Sequence, residues 1–343
     1  MIYQKIVKHS KNILLSFVQR YPDFPVTIPN AHRVLLYHRF SKNIDRINNK
    51  TDSHFFEWQL RFLKKRWNVI KLCDLFESIR NRWRLPPKTV VITIDDGYLD
   101  FYDVAYPLLL KYKLPATFFP TINFVERRGW LWPDILNYIL DHSKKPELSI
   151  TFEHRPFRFR IQDAVSRIKV WQELSDFCSE LPDEQKWSFI TILSERAIVK
   201  VPSKPTSAYS AVNYEQLEEM CRNRIEIGAH TLNHPILSQV GEKTLETELS
   251  EPKKILELKL GIEVKSLAYP SGREMDITSN VVEKAKKIGY LGAVVTKRNH
   301  TWYDRLDPYQ LPRIGVENNK AGFCWKLYGI EILGEKLRSY LGR

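Results

Sequence analysis

The sequence predicts an α/β protein whose parallel strands curl into a barrel or an incomplete barrel. Three observations predict it. Seven short β-favouring runs recur along the chain, helical patterns of apolar residues separate several of them, and polar residues cluster where the runs end.

The β-favouring runs are Arg33 to Tyr37, Val90 to Ile94, Ala116 to Pro120, Ile225 to Gly228, Ser266 to Tyr269, Leu291 to Thr296 and Gln310 to Val316. Between them, apolar residues recur at helical spacing over Phe55 to Arg66, Tyr98 to Tyr112, Tyr214 to Asn223, Leu245 to Leu260 and Ile277 to Ile288. Strands that alternate with helices in this way form parallel β/α units. The alternation breaks over residues of about 125 to 212, which hold Trp130, Trp132, a hairpin-like stretch from Leu148 to Ile161 and charged helical segments around Trp171 and Trp187. This region is predicted to be a mostly helical insertion after the third strand, large enough to wall a cleft.

Both ends of the chain read as basic amphipathic helices. In residues 1–29 the apolar side carries Ile2, Ile6, Ile13, Leu14, Phe17 and Val18, with Lys5, Lys8 and Lys11 opposite. In residues 319–343, Ile330, Leu333, Leu337, Tyr340 and Leu341 recur at helical spacing beside Lys336 and Arg338, with Phe323, Trp325 and Tyr328 upstream. Such helices either lie on an anionic membrane or pack on the core with a solvated basic side.

Length and composition narrow the function classes. With 343 residues and 43% apolar content the chain buries a sizeable core. Its 53 Lys and Arg outnumber 40 Asp and Glu, giving a net charge of +13 that suits a polyanionic neighbour. The basic residues are spread along the whole chain with no recognisable binding motif, which speaks against nucleic acid. Four cysteines without CxxC spacing fit structural thiols in a reducing compartment. No run of about 18 apolar residues or secretory leader is found, so the expected location is cytoplasmic, with peripheral membrane contact through the basic ends.

Two polar clusters carry the chemistry. Asp95-Asp96-Gly97 ends the run Val90 to Ile94, and adjacent acids at a strand end point in different directions, so one can ligate a metal while its neighbour faces a reacting water. Asp-Asp-Gly is also a common solvated turn. His230 and His234 follow the run Ile225 to Gly228 and precede Pro235, which places them in a second strand-end loop where imidazoles can converge on an ion. Asp96, His230 and His234 leave coordination positions open, as a catalytic divalent site requires, and Asp95 is then the general base.

The strings Thr-Ile-Asp-Asp-Gly and His-Thr-Leu-Asn-His, in that order, resemble the first two motifs of the polysaccharide deacetylases, carbohydrate esterase family 4 with its NodB homology domain. The similarity spans about residues 30–318. It implies a distorted (β/α)7 barrel that removes N-acetyl, sometimes O-acetyl, groups from glycans with Zn2+ or another divalent metal. By motif position it implies Asp95 as base, Asp96, His230 and His234 as metal ligands, and Leu267 to Gly272 as a third motif whose backbone N–H groups near Tyr269 and Ser271 face the oxyanion.

Two departures redirect the assignment. Many members carry an arginine where this chain has Ala268, and a late Leu-x-His that this chain lacks. A circularly permuted subgroup, resembling exopolysaccharide N-deacetylases, has a Tyr-His near the start, and Tyr37-His38 matches it. His38 is therefore expected to be the general acid, with His300 as an alternative in a polar turn. Arg313 is expected to replace the third-motif arginine by pairing with Asp95, and Trp130 and Trp132 are expected to stack on sugar rings. The expected substrate is an acetylated carbohydrate in a cell-surface glycan or its lipid-linked precursor. The alternatives are hydrolysis of an O-acetyl, formyl or cyclic imide group, or glycan binding without turnover.

Overall fold

The computed structural model describes residues 33–43, 50–296 and 307–329 together with positions 13 and 16. The helix expected over residues 1–29, the end of the C-terminal helix and His300 lie outside the described residues.

The seven expected strands succeed one another around a ring. Arg33–Tyr37 pairs in parallel with Thr89–Ile94 over five residues, Thr89–Ile94 with Ala116–Phe118, and Ala116–Phe118 with Ile225–Ile227. A single bridge from Ala229 to Leu267 then leads to Ser266–Ala268, and the Ala229 N–H donates to the Ser266 carbonyl at 2.9 Å. Ser266–Ala268 pairs with Gly292–Val295, and that strand with Leu311–Pro312. The chain runs on through Arg313, and Ile314–Gly315 pairs with Arg33–Tyr37. The ring is uneven: Thr89–Ile94 meets Ala116–Phe118 only at its last two residues, and its first half takes Asn68–Ile70 as neighbour, a strand the periodicity does not reveal.

Every residue of Thr89–Ile94 is buried, as expected of a parallel strand covered on both sides. Alternation then decides what points where. Val90, Ile92 and Ile94 join the large core shared with helix Ser53–Arg66 and its neighbours. Val91 turns the other way, onto Val34, Ala268, Val294 and Leu311 from other strands, with Phe76 of helix Leu72–Asn81 below. Thr93 and Asp95 follow Val91 in register, and Arg313 follows Leu311, so these polar groups share the interior side of the ring above its apolar floor.

The insertion has its own core. Helices Trp132–His142, Ala164–Glu180 and Asp183–Ala197 close over the antiparallel hairpin of Glu147–Phe152 and Arg155–Arg160. Trp130 and Trp132 belong to this core at 9% and 3% exposure, which corrects the expectation that they stack on sugar. Two of the three C-terminal aromatics also pack on the core. In helix Lys320–Leu327, Phe323 is buried against Phe62, and Tyr328 just beyond it against Trp67, so these rings are core and not a membrane flank. All four cysteines are free, and no helix among the described residues is long and apolar enough to cross a membrane.

Candidate active site and metal centre

The aspartate turn leaves Thr89–Ile94 under close constraint. The Asp95 N–H donates to the Tyr37 carbonyl at 3.1 Å, prolonging the pairing by one residue. Asp96 has φ of 78°, a left-handed conformation its short polar side chain tolerates. Gly97, with φ of 104°, brings the chain within 3.2 Å of where a Cβ would meet the Pro120 backbone, so a side chain there would be strained and crowded.

The histidine loop leaves Ile225–Ile227 and turns twice through left-handed residues, Thr231 at 62° and His234 at 59°. His230 is 2% exposed and donates its Nδ1–H to the Ala268 carbonyl at 2.7 Å. A carbonyl can only accept, so the Nε2 lone pair is left facing Asp96. His234 presents its Nε2 to the same oxygen, while its Nδ1 is buried without a hydrogen-bond partner.

Asp96, His230 and His234 place one donor atom each within 4.8 Å of one another. Asp96 Oδ1 lies 3.4 Å from His230 Nε2 and 3.5 Å from His234 Nε2. Metal–ligand bonds of about 2.1 Å in tetrahedral geometry put ligand atoms about 3.4 Å apart, so the separations fit a small divalent ion such as Zn2+. The donor set agrees, being two imidazoles and one carboxylate with open positions remaining. Burial lowers the His234 pKa and favours the neutral ring a ligand needs. At His230 burial acts the same way but Asp95 and Asp96 outweigh it, and the pKa is raised. Burial disfavours the Asp96 carboxylate, yet the two imidazoles beside it hold its pKa well below the usual value.

Arg313 meets Asp95, as expected of a residue that replaces the third-motif arginine. Its two terminal nitrogens each donate to one Asp95 oxygen at 2.6 Å, and Nη1 also lies 3.3 Å from Thr93 Oγ1. The pair is 4% and 2% exposed. Burial alone would push the Asp95 carboxyl up, but the charge of Arg313, followed by His230 and His38, keeps it below its ordinary value. Asp95 is thus an ionised acceptor beside the three residues that could hold an ion. His38 stands exposed just past the end of Arg33–Tyr37, close enough for its charge to act on both aspartates.

The third motif forms a tight turn, with Ser271 and Gly272 both left-handed. The Tyr269 N–H is directed at the Val294 carbonyl at 3.3 Å and its ring is buried, so that amide has a partner inside the ring. This shifts the expected oxyanion contact towards Ser271.

Several groups around the site escape a sequence reading. The Tyr98 hydroxyl donates to Asp134 of the insertion at 2.7 Å, and burial pushes the Asp134 carboxyl up to about 7. Arg39, next to His38, lies over the Tyr98 ring at 3.9 Å, bonds Asp100 at 2.7 Å and reaches the Ala208 carbonyl at 2.7 Å. These contacts tie the insertion to the segments that follow Arg33–Tyr37 and Thr89–Ile94. Glu248, buried in helix Glu242–Leu260, bonds the histidine loop; its only sequence signal is an acid one residue before Leu249 and three after Leu245 in an apolar stripe.

Comparison with known proteins identifies the family. The polysaccharide deacetylase family model matches residues 83–168 and 185–293, more than half of the chain. The chain belongs to the polysaccharide deacetylase family. Among its relatives, the Bacillus subtilis protein YxkH, which carries a polysaccharide deacetylase name, is 27% identical over 241 residues, covering 70% of this chain and 56% of that protein. The poly-β-1,6-N-acetyl-D-glucosamine N-deacetylase of Staphylococcus aureus is 32% identical over 80 residues, 23% of this chain and 28% of its own. This family member therefore spans about half the length of the first relative and matches less of the second. Its fold is similar to that of the Streptococcus pyogenes deacetylase PplD in complex with acetate, with a TM-score of 0.56 at 19% identity over 85% of this chain and 95% of that one. IcaB from Ammonifex degensii gives a TM-score of 0.53 at 17% identity over 87% and 97%.

Proposed function

We propose that this polysaccharide deacetylase family member removes the N-acetyl group from an acetamido sugar in a cell-surface glycan or its lipid-linked precursor, with a divalent metal held by Asp96, His230 and His234. The observation that carries the proposal is the bidentate Arg313–Asp95 pair beside that ligand set, because it keeps a buried carboxylate ionised where a water must lose a proton. When bound, the ion supplies Lewis-acid polarisation of the acetamide carbonyl.

The remaining work falls to the chain's own groups. Asp95 takes a proton from water as its oxygen adds to the carbonyl carbon, and the carbonyl oxygen becomes an oxyanion near the Ser271 turn. His38 gives a proton to the sugar nitrogen as the C–N bond breaks, so acetate and a free amine leave. An amine leaves poorly without that proton, whereas an ester alkoxide needs it less; an exposed imidazole able to supply it favours the amide over the O-acetyl reading.

The substrate class is supported by the names of relatives such as the poly-β-1,6-N-acetyl-D-glucosamine N-deacetylases. The test is hydrolysis of a panel: β-1,6-linked N-acetyl-D-glucosamine oligomers, O-acetylated sugars, N-formyl sugars and cyclic imides. Acetate with an equal yield of free amine from the N-acetyl oligomers is expected; hydrolysis confined to another class, or none at all, overturns the assignment. Peripheral binding to an anionic membrane, proposed from the net charge of +13 and the basic chain ends, is checked by cosedimentation with anionic against neutral vesicles.

A further inference from the structure

We infer that Glu248 is a positioning residue of the metal centre, holding the His230–His234 loop in its ligand-presenting shape before any ion arrives. The inference rests on the metal-site reading above. Left-handed backbone is unfavourable for a non-glycine residue, and this loop contains two such residues, one of them the β-branched Thr231. Something outside the loop must offset that cost.

The hydrogen bonds show what does. The loop's carbonyls face one neighbour: His230 accepts from Thr121 Oγ1 at 3.0 Å, Thr231 from the Ile122 N–H at 3.3 Å and Leu232 from the Asn123 N–H at 2.9 Å. The His234 N–H is taken within the loop by Thr231 Oγ1 at 2.9 Å. The amides of Leu232 and Asn233 point the opposite way, and both donate to one oxygen, Glu248 Oε2, at 2.9 Å each. The other oxygen, Oε1, accepts from Asn233 Nδ2 at 2.6 Å.

Glu248 is 3% exposed, so its charge is met by these three N–H groups inside the protein. The chemistry asks for a carboxylate. An amide oxygen could serve the two backbone donors, but its NH2 would then oppose the Asn233 NH2. An alanine would leave two backbone N–H groups without their acceptor. Glu248 touches neither imidazole, and acts on them through the backbone between them.

The test is zinc affinity, measured on the full chain by competition with a chromogenic chelator, alongside thermal melting of the metal-free protein. Glu248→Gln is expected to weaken zinc binding about 10-fold and Glu248→Ala about 100-fold, the range found when groups behind metal ligands are removed. Glu251→Ala, at an exposed Lys254 partner on the same helix, should bind zinc as the unaltered protein does. Should the alanine variant fail to fold, the glutamine variant carries the comparison. Unaltered zinc affinity in a cooperatively melting Glu248→Gln protein, with or without a lower melting temperature, overturns the inference. Failure of the unaltered protein to bind zinc would instead remove the metal-site reading on which it stands.

Discussion

The two loops that build the centre do so by different means. The aspartate turn uses residue types suited to its shape, an aspartate and a glycine in left-handed conformations, and its key side chain is fixed by a buried charge pair with Arg313. The histidine loop places the β-branched Thr231 in a left-handed conformation that does not suit it and is fixed from both sides by hydrogen bonds to its backbone, from Thr121 to Asn123 on one side and Glu248 on the other. The first arrangement sets a protonation state and the second sets a geometry. Damage to the first should therefore be read in pH dependence, and damage to the second in metal affinity.

The largest effect is expected from Asp95→Asn, which removes the base without removing a ligand. Acetate release should fall about 10²–10⁴-fold while bound metal, measured by elemental analysis, is unchanged. Parallel loss of metal would mean that the two loops do not divide the work as described.

Arg313→Met leaves a buried carboxylate without its partner and should cost about 3–5 kcal/mol in urea unfolding near neutral pH. Because Arg313 and its neighbours hold the Asp95 pKa below its ordinary value, the pair's stabilisation is present above the unfolded pKa of about 4 and is lost as pH falls through the folded one. The stability gap between the two proteins should accordingly shrink below about pH 4, and the acid limb of the rate profile should move to higher pH in the variant.

His38→Gln comes next. His38 is exposed and outside both loops, so the variant should lose about 100-fold in amide hydrolysis with little change in melting temperature or metal content. An equal loss on an O-acetyl ester would argue against its role as the acid.

The smallest effect on turnover should come from Asp134→Asn, whose consequence lies in stability and whose pH dependence runs opposite to that of Arg313→Met. Burial raises the Asp134 pKa to about 7, so its protonated form stabilises the fold below the unfolded pKa of about 4, and that contribution is lost as pH rises to about 7. Unfolding free energy of the unaltered protein should drop by up to about 1.4 kcal/mol per pH unit from this group across that window, and the variant should lack the drop.

Much of this was legible in the sequence because β-branched runs ending in polar residues have few other uses. The seven ring strands and the Asp-His-His set follow from such runs, whereas the Arg313–Asp95 pair was expected only from the family resemblance, as a replacement for the arginine missing at Ala268. Asn68–Ile70 was hidden because three residues between basic segments carry no periodicity. Glu248 and Asp134 were hidden for a different reason: one acid in an amphipathic helix reads as a solvated residue until its partners are known. The aromatic residues misled, since Trp130, Trp132, Phe323 and Tyr328 sit beside functional-looking segments but fill cores.

The central claim is that this protein hydrolyses an acetamide through a metal held by Asp96, His230 and His234. It is tested most directly by acetate release from N-acetylated oligosaccharides with the protein as purified, after exhaustive chelation, and after readdition of stoichiometric zinc. Loss of turnover on chelation and its return with one ion per chain are predicted. Undiminished turnover in protein shown by elemental analysis to be free of metal would contradict the account.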